Sequence, residues 1–394
     1  MVLTIIDIIF VFLMSFLILK FSRIKAVSFL GTVGTAYVIG ILYSIIVFAL
    51  RKTGIFEFRD TTALELLGYL GIAVGIPLLL FSSNIKYVFK LSGRVFLAYM
   101  LLIVSAVIVS IVWFLLYTRK ITDGDILTGM AVGLYSGGTV NLNAVAGFFR
   151  LDQQTIFMAN LSDMIFGGIF YVFLLFLAKP FTGLFLKKGQ KEEILPDVEL
   201  SAEDEVGRFN IKSPGVIRNF FISILIVVIS AGVGFAIFLL KGQKEGTLID
   251  CLLPAILIGT AILGLAASFI PKVNSVKENG TMGQFFVTVF CCAVASMFDF
   301  TNFGVVTLKL FILYSGITVS IFLIHLLLCR LFKIDSETMI VTSTAGIYGP
   351  AFIPGVARAI NAEYLLAGGL ITGSLGYAIG TFLGILVVWI CRLF

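Results

Sequence analysis

The sequence predicts an all-α polytopic membrane protein built from two repeated halves, and three observations carry that prediction. Of 394 residues, 59% are hydrophobic and only 13% charged, far from the balance of water-soluble domains. Apolar runs near the ~20 residues that cross a bilayer recur along almost the whole chain. A polar, glycine-rich interruption in the first half returns in the second, from Tyr135 to Tyr348, at an offset of 213 residues.

About twelve hydrophobic segments follow from window length, at 3–19, 28–50, 64–82, 95–117, 124–150, 153–178, 216–240, 248–270, 284–298, 306–330, 338–360 and 363–391. The first has no basic n-region, and no small-residue cleavage pattern precedes Phe21-Ser-Arg-Ile-Lys25. It is therefore expected to be a membrane segment rather than a removable signal. Between the sixth and seventh lies a polar stretch, 179–215, with Lys187-Lys-Gly-Gln-Lys-Glu-Glu193 and Ser201-Ala-Glu-Asp-Glu205. It is too polar to bury a core and reads as a solvated cytoplasmic linker, with regulatory docking as the alternative. The chain thus divides into an N-terminal membrane repeat, 1–178, the linker, 179–215, and a C-terminal membrane repeat, 216–394.

The repeat extends beyond one motif. Gly133-Leu-Tyr135-Ser136-Gly137-Gly138-Thr139-Val-Asn141 aligns with Gly346-Ile-Tyr348-Gly349-Pro350-Ala-Phe352-Ile-Pro354. Upstream in each half come a polar interruption (Phe81-Ser-Ser-Asn-Ile85 or Phe298-Asp-Phe-Thr-Asn302), a long apolar helix and an acidic turn (Thr122-Asp-Gly-Asp125 or Ile334-Asp-Ser-Glu337). Downstream comes a glycine-rich helix, with Phe166-Gly-Gly-Ile-Phe170 or Gly376-Tyr-Ala-Ile-Gly380. An ordered series of this kind marks an internal repeat.

Backbone groups left unpaired in hydrocarbon cost several kcal/mol each, so irregular backbone at membrane depth must face protein or a polar cavity. Glycine permits unusual φ and ψ, and proline removes a donor. The stretches 136–141 and 349–355 are therefore expected to break their helices near mid-membrane. Half-helix N-termini favour an anion, while freed carbonyls and C-terminal ends favour a cation. The solute site expected on this ground comprises Tyr135, Ser136, Gly137, Gly138, Thr139, Asn141 and Asn143, with Tyr348, Gly349 and Pro350 from the second half. The competing reading is that the small residues only let helices pack closely.

Asp163 lies about ten residues into its segment, where a charge is costly and needs a partner. Asn160 and Asp163 are spaced i, i+3 and share a helix face. With Ser162 they form the expected cation-coupling set, holding Na⁺ at Asn160 and Asp163 or exchanging a proton; a buried Asp that only stabilises packing is the alternative. The lone histidine, His325, has no acidic neighbour at helical spacing and reads as packed. Asp299 and Lys309 fall near segment ends, and Arg358 is either an anion contact or an interface anchor.

Other classes find little support. The net charge of +6 is scattered singly or in pairs between apolar runs, so nucleic acid is not an expected partner. The five cysteines show no repeated CxxC spacing and read as packed thiols. No Gly-x-Ser-x-Gly, His-Glu-x-x-His or P-loop occurs, so neither an enzyme nor a cofactor is expected. If every segment crosses, the two breaks point the same way; if both are re-entrant, the halves become inverted. Loop Lys and Arg divide almost evenly on either arrangement, and inversion is favoured because sites between inverted repeats are a common transporter design.

Tyr135-Ser-Gly-Gly-Thr-Val-Asn141-Leu-Asn-Ala-Val, the later Asp163, and Ser374-Leu-Gly-Tyr-Ala-Ile-Gly-Thr-Phe-Leu-Gly384 together resemble the domain-of-unknown-function 819 family of bacterial integral membrane proteins, over nearly the whole chain. The resemblance implies a place in the cation/proton antiporter and anion transporter superfamily, with core and scaffold regions, crossed or re-entrant broken helices, and elevator-like or rocking alternating access. It also adds Ser374 to the solute set. The family's Asp-Asn pair falls on Asp163 and Met164, so the amide is missing here and Asn160 is its candidate replacement. Phe352 stands where the family's second break carries a hydroxyl, which implies a changed substrate or a less polar half-site.

The resulting expectation is a secondary active transporter in the bacterial inner membrane, moving a small anionic solute by alternating access coupled to Na⁺ or H⁺, with a homodimer allowed for. The rivals are a channel or holin-like pore, and a scaffold or sensor acting through the linker.

Overall fold

A computed structural model describes residues 2–22, 24–53, 61–82, 93–189, 213–240, 247–276, 278–297 and 305–394, and they contain helices and no strand. The interruptions expected at 83–85 and 298–302, with Asp299, and linker residues 190–212 lie outside the described residues. The helices are α1 Val2–Lys20, α2 Lys25–Lys52, α3 Thr62–Phe81, α4 Gly93–Leu116, α5 Gly124–Gly137, α6 Thr139–Phe148, α7 Gln153–Phe176 and α8 Ala178–Gly183 in the first half. In the second they are α9 Pro214–Leu240, α10 Thr247–Ser268, α11 Pro271–Asn274, α12 Asn279–Ser296, α13 Val305–Leu331, α14 Ser336–Tyr348, α15 Ile353–Ala359 and α16 Leu366–Cys391. Among the described residues, nine helices are long and apolar enough to cross a bilayer. The other three expected segments are the two broken ones and α12.

The chain forms two compact units, each drawing on both sequence halves. Unit 1 comprises 1–82, 147–161 and 204–307, and unit 2 comprises 83–146, 162–203 and 308–394.

In unit 1, α3 and α12 approach through small residues, as lipid-embedded helices do when hydrophobic burial cannot drive their association. A methyl group on Gly71 would lie 2.9 Å from the Phe286 carbonyl oxygen, and one on Gly283 would lie 2.7 Å from Leu79 Cγ. Val74, Leu78 and Phe81 of α3 form a core with Val216, Ile226, Val273 and Met282. A buried polar clasp closes one end of this unit. The Asn219 amide donates to Val273 O and to Asn279 Oδ1, both at 2.9 Å, and the Asn279 amide donates to Val273 O at 2.8 Å. Within α2, Gly31 adopts φ 70°, ψ 168° and kinks the helix, a break that the sequence does not announce.

In unit 2, α16 lies against α5 along its glycines. A Cβ on Gly384 would sit 2.6 Å from Gly129 O of α5, and α6 is as close, with 2.5 Å from that Cβ to Val145 Cγ2 and 2.8 Å from one on Gly380 to Asn141 Cγ. Phe170 and Phe173 of α7 pack edge-on against Phe322 of α13, each with centroids 5.4 Å apart. His325 is fully buried, its ring nitrogens 2.9 Å from Ser343 Oγ and 2.9 Å from Ala98 O. A ring nitrogen facing a carbonyl must carry its proton, so Nε2 donates to Ala98 O and both nitrogens are engaged.

The start of the linker is clamped to the polar end of α14. Gly189 N–H donates to Glu337 Oε2 at 2.8 Å, Ser336 N–H donates to Lys187 O at 3.0 Å, and Lys179 Nζ pairs with Glu337 Oε1 at 3.2 Å. Burial works against ionisation of Glu337, but the Gly189 N–H, its own backbone N–H and Lys179 outweigh it and hold the carboxyl below the usual range. With the folded value depressed, the clamp contributes fully above the unfolded value of about 4.3. Its contribution is lost as pH falls through the lower folded value. At neutral pH, Glu337→Gln should weaken the clamp by about 1 kcal/mol, the scale of a partly exposed pair. Trypsin cleavage after Lys187 and Lys188, both exposed, should then run a few-fold faster; an unchanged rate would mean that the clamp holds nothing in place.

Candidate functional site

Each expected break is present, and both fall on glycine. The helix α5 runs for 14 residues, about 21 Å at 1.5 Å per residue, and stops where Gly138 N–H closes its last bond on Leu134 O at 2.6 Å. Gly138 itself has φ 89°, ψ 179°. In the second half α14 runs for 13 residues, Gly349 N–H bonds to Ala345 O at 3.1 Å, and Gly349 has φ 77°, ψ −175°. This combination of positive φ with extended ψ is essentially restricted to glycine, because a side chain there costs about 1–3 kcal/mol. After Gly138 the chain enters α6. After Gly349 it makes a 3-10 turn, Pro350–Phe352, before α15.

The two breaks meet. A Cβ on Gly138 would lie 3.5 Å from the carbonyl carbon and oxygen of Tyr348 and 3.6 Å from Gly349 N. The same point of α16 supports both breaks. Gly373 approaches Pro350 so closely that a Cβ would sit 3.1 Å from its nitrogen, and Gly376 faces Gly137, with 2.9 Å from such a Cβ to Gly137 Cα. The Asn141 side chain locks α6 to α16: its amide donates to Gly376 O at 3.1 Å, and its oxygen accepts from Thr381 Oγ1 at 2.8 Å.

The remaining expected residues divide by how they are engaged. Ser136 Oγ bonds back to Val132 O at 2.7 Å, while its carbonyl accepts from Tyr99 OH at 2.5 Å. Ser374 Oγ donates to Leu370 O at 2.9 Å, and the Asn143 amide donates to Thr139 O at 3.0 Å. Thr139, the first residue of α6, is half-buried, as are Tyr348 and Pro350.

Asp163 lies within α7, half-buried, with its carboxylate against Gly167: a Cβ there would be 3.8 Å from Asp163 Oδ1 and 3.7 Å from Tyr348 Cε1. It has no hydrogen bond or ion pair among the described residues. Tyr135, Tyr314 and Tyr348 are within electrostatic reach of it. Asn160 is one turn earlier on α7, on the unit 1 side of the boundary after Leu161, and its amide donates to Ile156 O at 2.8 Å. Ser162 is buried beside Asp163 in sequence. No group of three or more His, Cys, Asp or Glu suited to a metal ion occurs among the described residues.

Residues 9–394 match the family described as "Protein of unknown function (DUF819)". The chain belongs to that family. It is also similar to the uncharacterized membrane protein YjcL of Bacillus subtilis (strain 168), at 25% identity over 330 residues that span 79% of this chain and 80% of that protein. This membrane relative and the nine long apolar helices identify an integral multi-pass membrane protein. Both glycine breaks and Asp163 lie inside the stretch shared with the family.

Of the aromatic residues near Asp163, the sequence singles out Tyr135, Tyr348 and Phe352 but not Tyr171 or Tyr314. Tyr171, Tyr348 and Phe352 pack on one another with centroids 5.1–5.6 Å apart, so Phe352 completes an aromatic wall. Tyr314 packs at a tilt of 59° against Tyr135, with centroids 6.4 Å apart, and the Tyr135 hydroxyl accepts from Thr318 Oγ1 at 2.9 Å and donates to Tyr314 O at 3.0 Å. A tyrosine or phenylalanine inside an apolar helix carries no positional signal without its neighbours.

Proposed function

We propose that this protein is a secondary active transporter of the bacterial inner membrane, moving a small anionic solute by elevator-like alternating access coupled to Na⁺ or H⁺. One observation carries the reading: two glycine-only breaks in long apolar segments, one from each half, lie against each other in unit 2. Broken backbone at membrane depth is tolerated where it lines a polar cavity, and crossed half-helices are how transporters hold solutes near the midplane. Such a pairing also suits inverted repeats within the cation/proton antiporter and anion transporter superfamily.

The N-terminus of α6, with the half-buried Thr139 hydroxyl, supports an anionic group on the solute. Asp163 supports a coupled cation, because an ionisable residue within a membrane segment is a functional-site hypothesis by default. The two charges explain the coupling. An anion alone would be repelled by Asp163, and a cation alone would leave α6 unmatched, so each site favours occupancy of the other. One charge moving down 100 mV supplies about 2.3 kcal/mol.

Purified protein should be screened by thermal shift against organic acids, amino acids and cell-wall fragments, with and without Na⁺. Hits should then be taken to proteoliposomes. Saturable uptake driven by a Na⁺ or H⁺ gradient, with no unitary conductance, is the expected result. Unsaturable flux with channel-like currents would replace the transporter with a pore, and solute transport untouched by any ion gradient would remove the coupling.

A further inference from the structure

Three tyrosines surround Asp163 electrostatically, and they differ in where their protons go. Tyr135 OH donates to Tyr314 O at 3.0 Å, and Tyr348 OH donates to Gly167 O at 2.7 Å. Both donors are therefore committed to main-chain carbonyls. The Tyr314 hydroxyl is fully buried and has no hydrogen-bond partner among the described residues. A buried polar group left unsatisfied is costly enough that native proteins seldom keep one without a water, an ion or a functional role to account for it. Asp163 likewise has no hydrogen bond or ion pair among the described residues. The two side chains interact electrostatically without bonding directly, and a small species placed between two such oxygens would satisfy both.

We propose that the Tyr314 hydroxyl and the Asp163 carboxylate hold one monovalent cation between them, with Asp163 supplying the charge and Tyr314 a neutral oxygen. The proposal rests on the transporter reading above and adds to it a residue on α13. Charge balance sets the class of ligand. One carboxylate is neutralised by one positive charge, whereas a divalent ion would leave an excess charge in an apolar setting. Hard oxygens are the ligands that Na⁺ or a protonated water would take. The other ionisable groups near this pair are Tyr135 on α5, Tyr348 on α14 and Tyr171 on α7, which packs on Tyr348 at 5.6 Å. His325 is turned to Ser343 and Ala98.

The test uses thermal unfolding of the purified full-length protein in two arms. One titrates NaCl against choline chloride at constant ionic strength and pH 8; the other scans pH 5 to 9 in choline chloride alone. Wild type should be stabilised in at least one arm by mass action, and Asp163→Asn should lose that response. Tyr314→Phe should need at least tenfold more Na⁺ for half the shift, or should displace the pH midpoint by a unit or more. Tyr117→Phe, whose hydroxyl reaches Lys309 O in an exposed setting away from the pair, should match wild type. If the Na⁺ arm responds the cation is Na⁺, and if only the pH arm responds it is a proton carried on water.

Should Tyr314→Phe behave as wild type in both arms while Asp163→Asn loses the response, the Tyr314 contribution is overturned and Asp163 coupling stands. A wild type insensitive in both arms, or Asp163→Asn responding as wild type does, overturns both. If Tyr314→Phe does not fold, 3-fluorotyrosine placed at position 314 gives the second readout. Its ¹⁹F resonance should move on adding the effective cation to the Asp163 protein and stay fixed in Asp163→Asn; a resonance fixed in both also overturns the proposal.

Discussion

Replacing Gly376 with leucine is expected to abolish recovery of folded protein, and even Gly376→Ala should cost about 3 kcal/mol or more, the upper range for overpacking a filled interior. At Gly376 an added Cβ would lie 2.9 Å from Gly137 Cα and would overlap Ser136 O and Tyr99 OH still more deeply. Two of those three neighbours are backbone that cannot swing aside. The push also lands on the Tyr99–Ser136 hydrogen bond, which contributes about 1 kcal/mol more, and on the carbonyl that accepts from Asn141. Against a net stability of about 5–15 kcal/mol, that loss separates a monodisperse protein from an aggregate. Size-exclusion profiles and Tm in detergent check it. The contrast is Gly168→Ala on α7, where nothing lies within 4 Å of an added Cβ; it should be neutral or stabilise slightly through helix propensity. Equal behaviour of the two variants would mean that α16 does not seat against α5 as described.

Asp163→Asn should eliminate gradient-driven uptake while leaving the folded protein as stable as wild type or more so. The change keeps the side-chain shape and removes a charge that costs about 2.5–3.5 kcal/mol at a helix centre on insertion scales. Because Asp163 has no described hydrogen bond or ion pair to lose, its removal leaves no partner stranded. If Asp163 only braced helix packing, the same variant would lower Tm and leave transport proportional to folded protein. Uptake per folded molecule, measured beside Tm, distinguishes the two.

Much of the fold was legible because membrane segments obey few rules. Length and hydropathy anticipated the nine helices that are long and apolar enough to cross a bilayer among the described residues, and Gly137-Gly138 and Gly349-Pro350 marked the two breaks, since residues so poor at helix formation have few other uses there. The Gly31 kink was not legible: a single glycine in an apolar run looks the same whether its φ is negative or positive. Asn141 illustrates a different limit. Its amide stood out as a polar group at membrane depth, but only the fold shows both of its polar atoms engaged by α16. Tyr314 gave no signal, because its significance lies in the absence of a described partner and in the nearness of Asp163, which is 151 positions away in the chain. Nor does sequence say that the compact units interleave the halves, because contact between distant segments leaves no mark on local pattern.

On the transporter reading, the junction of the two breaks is hydrated within the membrane. Cysteine accessibility tests this without knowing the solute, and the five native cysteines, all buried, provide a quiet background. Thr139→Cys places a thiol at the start of α6, and Ile169→Cys places one on an outward face of α7, where Ile169 is 61% exposed. Only a thiolate reacts with a water-soluble methanethiosulfonate, and a thiol in hydrocarbon stays protonated. In intact membranes, position 139 should be modified at least about a hundredfold faster than position 169, given the dependence of rate on thiolate fraction. Equal unreactivity at both positions would show a dry junction and contradict the account.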